Sequence, residues 1–422
     1  MINEMRYSGV NMLDIFKREA LKERKYIVAT LGKLVAIPTL SNPGLNYKKC
    51  VDLLEKECKK IGLKTKLFKV TEKKFIDQLP EANRKYPRYI LLASLDTGAK
   101  KTLHFNGHYD VVPASSGFTA DPFKLRIIGD KLMGRGAADM KHGIVAMLTA
   151  VKILKKLKIK PGWNLEFSFV PDEEIGGECG SGYICAKKLS KADAVIEGDG
   201  GGGNQLTVAH RGIVNFEVTV IGKPAHASSH NEGVNAFLKA VKIVTVLEAL
   251  RKKIEKRKSK YYVTKPLSGV ATMMIGGVAG GGTKSNAVPD KFTFTVDRRV
   301  IPEESMKKAE REITYLINKI AKKDGTFKVK IVSKGMTHSS IAEDAPLCRY
   351  LGAILKKYFG REPKMLMTGG RVDSAYFSKV LKVPTVAFGV EGKNYHADDE
   401  FTTTGDIVNT TAIYAELMRK LF

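Results

Sequence analysis

Apolar and polar residues alternate along most of the chain, in some segments with the period of a helix and in others with that of a strand. The helical period predicts helices over residues 21–36, 47–61 and 141–157, and the period of two predicts strands over residues 64–70 and 88–94. Helices and strands that alternate in this way up to about residue 208 indicate a mostly parallel sheet with helices on both faces.

The pattern changes between residues 209 and 333. Residues 212–220 carry an apolar side chain at every second position, which is typical of an antiparallel strand with one buried face. Further strands are predicted over residues 268–275, 291–298 and 327–332, with helices over 303–322 and, after the first pattern resumes, 404–421. We therefore predict an α/β protein: a doubly wound domain of residues 1–208 and 334–422 that contains an inserted α+β domain of residues 209–333.

Composition narrows the class of protein. A chain of 422 residues with 43% apolar content is long enough for two domain cores. The five cysteines form no Cys-x-x-Cys pair, which argues against a disulfide framework or a thiolate metal site and favours a reducing compartment. Because the pattern shows neither a signal peptide nor a membrane span, we expect a soluble, cytoplasmic protein.

The net charge of +27 raises the question of a polyanionic partner. The lysines are spread over the whole chain, and their densest run, residues 251–260, continues a helical pattern. Such a run is usually the solvated end of an amphipathic helix. We therefore expect neither a nucleic-acid partner nor a membrane partner.

Polar residues with metal-binding side chains occur in segments that follow predicted buried strands. Imidazole and carboxylate groups suit borderline divalent metals such as zinc, and strand ends are where α/β proteins build their sites. Taken together and in this order, the segments predict a two-metal hydrolytic site. Its candidate residues are His108, Asp110, Asp139, Asp172, Glu173, Glu174, Asp199 and His396.

Each segment has another reading when it is taken alone. His108 could be a structural histidine, and Asp139 could be an N-cap of the helix that follows it. Three consecutive acids at residues 172–174 repel one another, although they could also begin a helix. Bound cations would compensate the repulsion, and one glutamate could then bind metal while its neighbour serves as general base.

Other catalytic motifs do not match. Residues 276–285 resemble a phosphate-binding loop, but Thr283 separates the last glycine from Lys284 and no helix pattern follows. Residues 200–203 lack the glycine spacing of a dinucleotide fingerprint. The sequence contains no Gly-x-Ser-x-Gly motif, which removes the commonest serine-hydrolase alternative.

The sequences of these segments resemble motifs of the co-catalytic zinc amidohydrolases. That family includes acetylornithine deacetylase, succinyl-diaminopimelate desuccinylase, carboxypeptidase G, aminoacylase and several di- and tripeptidases. The resemblance covers nearly the whole chain and is carried by residues 107–113, 134–141, 172–174, 198–199, 222–228, 286–289, 297–299 and 369–373, with His396 near the end.

The resemblance implies two divalent metal ions per chain, zinc or cobalt. It places His108 and Asp199 on one ion, Glu174 and His396 on the other, and Asp139 between them. Glu173 would be the general base, and Asp110 would orient His108. The Asp139–Met140 peptide is cis in relatives.

The resemblance also implies a homodimer, in which the inserted domain is a dimerisation or lid domain. His226 would reach the neighbouring subunit's site and polarise the scissile carbonyl, and we expect the strand over residues 212–220 to pair across the two-fold axis. The substrate's carboxylate would be held by Asn286, Arg299, Gly370 and Arg371.

The resemblance predicts a metal-dependent hydrolase of N-acyl amino acids in amino-acid biosynthesis, of the succinyl-diaminopimelate desuccinylase or acetylornithine deacetylase type. The biosynthetic deacylases usually carry glutamate where this chain has Asp199, so a dipeptidase or carboxypeptidase of the same family stays open. A non-catalytic binding protein for an acidic partner is a remote alternative, because every expected ligand position is filled.

Overall fold

The computed structural model describes residues 11–421, and their internal packing divides them into two compact units. The first unit comprises the described chain up to Val208, Ile341–Leu366 and the chain from Val372 onward. The second unit comprises Ala209–Ser340 and Met367–Arg371.

The helices and strands have the following bounds. The helices are α1 (Met12–Lys22), α2 (Arg24–Val35), α3 (Tyr47–Lys60), α4 (Lys73–Ile76), α5 (Lys141–Lys156), α6 (Ser181–Ala186), α7 (Ala236–Ile254), α8 (Met306–Asp324), α9 (Pro346–Phe359), α10 (Ser374–Tyr376) and α11 (Thr404–Arg419). The strands are β1 (Lys64–Val70), β2 (Arg88–Leu95), β3 (Thr102–His108), β4 (Arg126–Ile128), β5 (Lys131–Met133), β6 (Asn164–Val170), β7 (Ala194–Glu197), β8 (Gln205–His210), β9 (Gly212–Ile221), β10 (Thr272–Gly281), β11 (Lys291–Val300), β12 (Lys328–Met336), β13 (Ser339–Ser340), β14 (Lys364–Thr368), β15 (Thr385–Ala387), β16 (Gly392–Lys393) and β17 (Phe401–Thr403).

The first unit is built on a sheet with parallel strands at its centre. Strands β6, β3, β7 and β15 are parallel neighbours in that order. Strands β2 and β1 continue the sheet antiparallel on one side, and β8 pairs antiparallel with β15 on the other. The α/β class and the separate antiparallel sheet are therefore confirmed.

Buried side chains from strands and helices fill both sides of this sheet. The ring of Phe105 on β3 stacks on Phe167 of β6, with centroids 5.5 Å apart. Helix α5 is buried on nearly every face, from Ile144 to Leu154. This burial explains why its sequence is apolar around its whole circumference rather than along one stripe.

The register of the parallel strands places their polar ends at one edge. His108 at the end of β3 lies opposite Val170 of β6, and Asn106 lies opposite Glu197 of β7. The chain that leaves β6 therefore carries residues 172–174 to the same edge, and the chain that leaves β7 carries Asp199 there.

The second unit contains an antiparallel sheet with the strand order β10-β11-β9-β12. Helices α7 and α8 pack on it, and the core includes Val218, Phe294, Leu247 and Ile317. The prediction that β9 pairs across a two-fold axis is wrong, because β9 is hydrogen-bonded along its length to β11 on one side and to β12 on the other. The edges of this sheet are β10 and β12.

Some predicted bounds also differ from the structure. The helix predicted over residues 21–36 is interrupted at Glu23, which separates α1 from α2. The strand predicted over residues 268–275 begins at Thr272 and runs on through the glycine-rich stretch, where a bulge between Ile275 and Ala279 accommodates the extra residues. Residues 334–340 and 367–371 group with the second unit, whereas the sequence pattern placed them in the first.

Within residues 11–421, none of the helices has a stretch long and apolar enough to cross a membrane.

Burial in the first unit predicts which leucines support its stability. Leu31 on α2 is 0% exposed and Leu21 on α1 is 54% exposed. We expect Leu31→Ala to lower the free energy of unfolding by about 2–5 kcal/mol through lost burial and a cavity, and Leu21→Ala to change it by less than about 0.5 kcal/mol. Denaturant unfolding followed by the fluorescence of Trp163, the single tryptophan and a buried residue of this unit, measures both. Equal losses in the two variants would contradict the packing described.

Candidate metal centre

Asp139 lies between two histidines from distant parts of the chain. Its Oδ1 atom is 3.1 Å from Nε2 of His108, and its Oδ2 atom is 3.0 Å from Nε2 of His396. Each carboxylate oxygen therefore faces a different imidazole. This is the arrangement that a carboxylate shared by two metal ions requires.

Three further carboxylates surround this pair of histidines. Oε2 of Glu174 lies 3.0 Å from Nε2 of His396. The possible ligand atoms of His108, Asp139 and Glu174 lie within 4.8 Å of one another, as do those of His108, Glu173 and Asp199. The structure thus brings together all the candidate metal ligands of the first unit, with Glu173 beside them.

The hydrogen bond of Nδ1 determines which nitrogen of His108 is protonated. Nδ1 lies 3.0 Å from the main-chain oxygen of Asp110, and this oxygen can only accept a hydrogen bond. Nδ1 therefore carries a proton, and a metal ion that displaces the proton of Nε2, which faces Asp139, gains the lone pair of that nitrogen. The carboxylate of Asp110 is farther away, at 3.5 Å, and accepts hydrogen bonds from the N–H groups of Glu173 and Glu174, each 3.3 Å long. Asp110 thus contacts both the histidine and the glutamate turn.

The buried acids of the centre repel one another. Burial, together with the charge of Asp139, raises the pKa of Glu174 to about 7 and that of Asp199 to about 7. Burial also raises the pKa of Glu173 well above its ordinary range. Negative charge is therefore costly at each of these positions unless a cation lies nearby.

The histidines supply part of that positive charge. Burial alone would raise the pKa of Asp139, but hydrogen bonds from His108 and His396 outweigh it and hold this pKa below its ordinary value. Hydrogen bonds to Asp139 and Glu174 in turn raise the pKa of His396 to about 10.

These residues fit a pair of borderline divalent metal ions. The donor set consists of imidazole nitrogens and carboxylate oxygens, which zinc and cobalt accept. The excess of buried carboxylates over imidazoles is the charge distribution that bound cations would neutralise. The direct contacts between His108, Asp139, Glu174 and His396 show that their ligand atoms converge on a common volume.

The turn that carries the two glutamates is anchored by buried residues which the sequence pattern did not reveal. Asp172 has φ of 66°, a left-handed conformation that costs energy for a non-glycine residue. Its carboxylate accepts hydrogen bonds from Nε of Arg88 at 2.7 Å and from the hydroxyl of Tyr47 at 2.8 Å. Arg88 is itself held by the main-chain oxygens of Asn83, Tyr86 and Pro43.

Asp199 is supported from the neighbouring strands. Its N–H donates to Oε1 of Glu197 at 3.4 Å, and Nδ2 of Asn106 donates to Oε2 of the same glutamate at 2.8 Å. Both Asn106 and Glu197 are buried. The sequence signals for this support are two polar residues at core positions, Asn106 on β3 and Glu197 on β7.

The remaining predicted residues lie in the second unit. Nδ1 of the exposed His226 is 2.7 Å from the hydroxyl of Ser228. Arg299 forms an ion pair with Asp297 on the same strand at 2.7 Å, and Gly370 and Arg371 belong to the short segment Met367–Arg371. Asn286 accepts a main-chain hydrogen bond from Ala227 at 3.0 Å, which brings its loop next to His226.

Arg211, a further arginine of the second unit, was not among the predicted substrate-binding residues. Arg211 donates to the main-chain oxygens of Gly369 at 3.0 Å and Val270 at 3.2 Å. Burial lowers the pKa of Arg211, and the charge of Arg299 lowers it further. The sequence pattern did not separate Arg211 from the many other basic residues.

Comparison with known proteins agrees with this geometry. A family model described as Peptidase family M20/M25/M40 matches residues 104–420. Succinyl-diaminopimelate desuccinylase of Pelagibacter ubique (strain HTCC1062) is 26% identical to the chain over 408 residues, covering 94% of this chain and 99% of that protein. Carboxypeptidase G2 of Pseudomonas sp. (strain RS-16) is 26% identical over 389 residues, covering 91% and 86%. The crystal structure of an M20 family metallo-carboxypeptidase from Sulfolobus solfataricus shares the fold, with a TM-score of 0.73 and 21% identity over 93% of this chain and 98% of that chain.

The donor set predicts metal uptake. We expect the protein to bind about two divalent ions per chain after reconstitution with zinc or cobalt, and its thermal midpoint to rise because the ions relieve the repulsion among the acids. Elemental analysis and thermal unfolding measure the two effects, and a chelator should reverse both. Asp139→Asn should lose metal, whereas Asp130→Asn, at a half-exposed residue, should not. Failure to bind metal, or stoichiometric iron, would contradict the prediction.

Proposed function

The chain belongs to peptidase family M20/M25/M40, and we propose that it uses two zinc or cobalt ions to hydrolyse the amide bond of an N-acyl amino acid. The substrate type that we favour is that of a succinyl-diaminopimelate desuccinylase or an acetylornithine deacetylase. The observation that carries the proposal is the position of Asp139, whose two carboxylate oxygens each face a different histidine.

The chain's own groups would hold the metal pair. His108 and Asp199 would bind one ion, Glu174 and His396 the other, and Asp139 would bind both. Such a pair, when bound, lowers the pKa of water and polarises the substrate carbonyl.

Glu173 is the proposed general base. A carboxylate oxygen of Glu173 lies within 4.8 Å of the ligand atoms of His108 and Asp199. Glu174 instead contacts His396, so the two glutamates face different parts of the centre. Glu173 would take a proton from the attacking water as the water oxygen bonds to the amide carbon. It would then return that proton to the nitrogen as the carbon–nitrogen bond breaks.

The second unit carries the proposed contacts for the substrate's carboxylate. Arg299 and Arg211 each offer a guanidinium group, and a guanidinium fork matches a carboxylate with two parallel hydrogen bonds. Asn286, Gly370 and Arg371 are proposed to assist.

A carboxypeptidase or dipeptidase activity is the second candidate. Asp199 favours it, because several peptidase branches of the family carry aspartate at this position, and carboxypeptidase G2 and the desuccinylase are each 26% identical to the chain. We place either reaction in the cytoplasm, since the described cysteines are all free and buried, as in proteins of reducing compartments.

The proposed roles of the two glutamates predict that their substitutions affect metal binding and turnover differently. We expect Glu173→Gln to keep its metal ions and to lose about 10²–10⁴-fold in kcat, because only the proton transfer is removed. Glu174→Gln should lose metal and activity together. The assay is hydrolysis of N-succinyl-diaminopimelate, N-acetylornithine, N-acyl amino acids and dipeptides by the metal-loaded protein, with metal content measured on the same samples.

Each other outcome has a defined meaning. Wild-type turnover in Glu173→Gln would remove this residue from the mechanism, and loss of metal from it would mean that the two glutamates exchange roles. Hydrolysis of dipeptides alone would favour the second candidate. A metal-loaded protein that cleaves none of these substrates would favour the non-catalytic alternative.

We also propose a homodimer formed through strand β10 and helix α7 of the second unit. The β12 edge carries the exposed residues Lys328, Lys330 and Lys334, and lysines on an edge strand oppose pairing with another strand. Strand β10 has no charged residue and exposes Met274 and Val278.

Helix α7 packs against β10. It exposes Phe237, Leu238 and Val241. Exposed apolar side chains on an unprotected edge strand and on a helix packed against it are typical of an interface between identical subunits. His226 would then complete the partner's site.

The choice of edge has a matched test. Val278 on β10 is 71% exposed and Val332 on β12 is 51% exposed. We expect Val278→Lys to dissociate the dimer because it places charge in the interface, and Val332→Lys to leave the dimer intact. Light scattering after size-exclusion chromatography distinguishes the two, and a wild-type monomer would exclude the proposal.

The same assembly accounts for the proposed role of His226. His226→Ala should keep its metal but lose most activity, and mixing it with Glu173→Gln chains under subunit exchange should restore part of the activity. Each hybrid dimer then contains one intact composite site. Full activity in His226→Ala would exclude this role.

A further inference from the structure

We propose that Glu400 is a positioning residue that sets the Asp139 carboxylate at its distance from His396; this inference rests on the proposed metal site and deepens it. Glu400 lies four residues after His396 and is fully buried. Glu400 is neither one of the proposed metal ligands nor the proposed general base.

Glu400 holds the loop that carries Asp139 through both of its carboxylate oxygens. Oε1 accepts hydrogen bonds from the N–H groups of Ala138 at 2.7 Å and Asp139 at 2.9 Å. Oε2 accepts hydrogen bonds from the N–H of Gly136 at 3.1 Å and from Nη1 of Arg135 at 2.5 Å. The acceptor groups of this one side chain therefore determine the path of the chain over residues 135–139.

The main chain of Glu400 and the side chain of Arg135 tie this loop to the segment that carries His396. The main-chain oxygen of Glu400 accepts a hydrogen bond from the N–H of Gly134 at 2.9 Å. Nη2 of Arg135 donates to the main-chain oxygen of Ala397, the residue after His396, at 3.3 Å. Glu400 and Arg135 thus connect the Asp139 loop to the His396 segment at both ends of residues 396–400.

The His396 segment needs such support because its backbone is strained. Asn394, His396 and Asp399 all have left-handed φ angles, of 58°, 59° and 50°. Non-glycine residues keep such conformations only where surrounding contacts hold them. Strand β17, which begins directly after Glu400, pairs with β5 directly before Gly134, so the two segments start from a common anchor.

The contacts of Glu400 also explain why a carboxylate is required. Donors approach both oxygens, so each oxygen must be an acceptor. A glutamine would turn its NH₂ group toward the N–H groups of Ala138 and Asp139, or toward those of Gly136 and Arg135. In either orientation the loop must shift, and Asp139 with it.

The test uses cobalt(II) alone as the probe. Calorimetry measures its affinity, and the visible absorption of the bound ion reports the geometry of its ligands. We expect Glu400→Gln to weaken cobalt binding by about 10–100-fold, the usual effect of losing a residue that orients metal ligands, and to change the absorption spectrum.

The matched control is Glu57→Gln. Glu57 is also a buried glutamate of the first unit, and it forms an ion pair with Lys60 of the same helix at 2.7 Å. This variant should lose stability without any change in cobalt affinity or spectrum. If Glu400→Gln does not fold, Glu400→Asp tests the same idea, because it keeps the charge near Arg135 but is one methylene too short to reach Ala138 and Asp139.

The outcomes separate this inference from the proposed function. Cobalt affinity and spectrum equal to wild type in a folded Glu400 variant would reduce Glu400 to a structural residue and overturn the inference alone. Absence of cobalt binding by the wild-type protein would overturn the proposed metal site and this inference with it.

Discussion

Repulsion between buried carboxylates is the constraint on which the rest of the first unit depends. Glu173, Glu174 and Asp199 meet Asp139 at the edge of the sheet where parallel strands end, and burial raises the pKa of the first three. A chain gains nothing in stability from collecting like charges in a low-dielectric interior. The arrangement becomes favourable once cations occupy the space between the acids. The repulsion that lowers the stability of the metal-free protein therefore favours metal binding.

The acids stay in place because each loop that carries them is anchored on the side away from the centre. Arg88 and Tyr47 hold Asp172 at the start of the glutamate turn, and Glu400 holds the N–H groups of the Asp139 loop. The ammonium group of Lys141, just beyond that loop, donates to two main-chain oxygens near the end of α2. The buried charged groups around the site thus have hydrogen-bond partners, while the acids inside it remain available to bind metal ions, which is the preorganisation that catalysis and metal selection both require.

Much of this site could be predicted from residue types because local chemistry determines ligand identity. The strands that lead to His108 and Asp199 are short and buried, and the imidazole and carboxylate groups at their ends are typical metal ligands. The anchors could not be found in this way. Arg88 is one of 71 basic residues, and Glu400 follows two aspartates in an acidic stretch. What distinguishes them is burial and a partner that is distant in sequence, and neither property leaves a periodic signal.

The sequence by itself determined the α/β class, the alternation that leads to a parallel sheet and the set of candidate ligands, because hydrophobic period and side-chain chemistry act over a few residues. Only the tertiary structure decided which strands lie at sheet edges and which side chains meet. Strand β9 has the alternation of a strand with one buried face and was expected to pair with a second subunit, yet it lies inside its sheet between β11 and β12. Alternation records which face of a strand is buried and contains nothing about its hydrogen-bonded neighbours. Those neighbours are set by the packing of segments far apart in the chain, as is the contact that places Asp139 between His108 and His396.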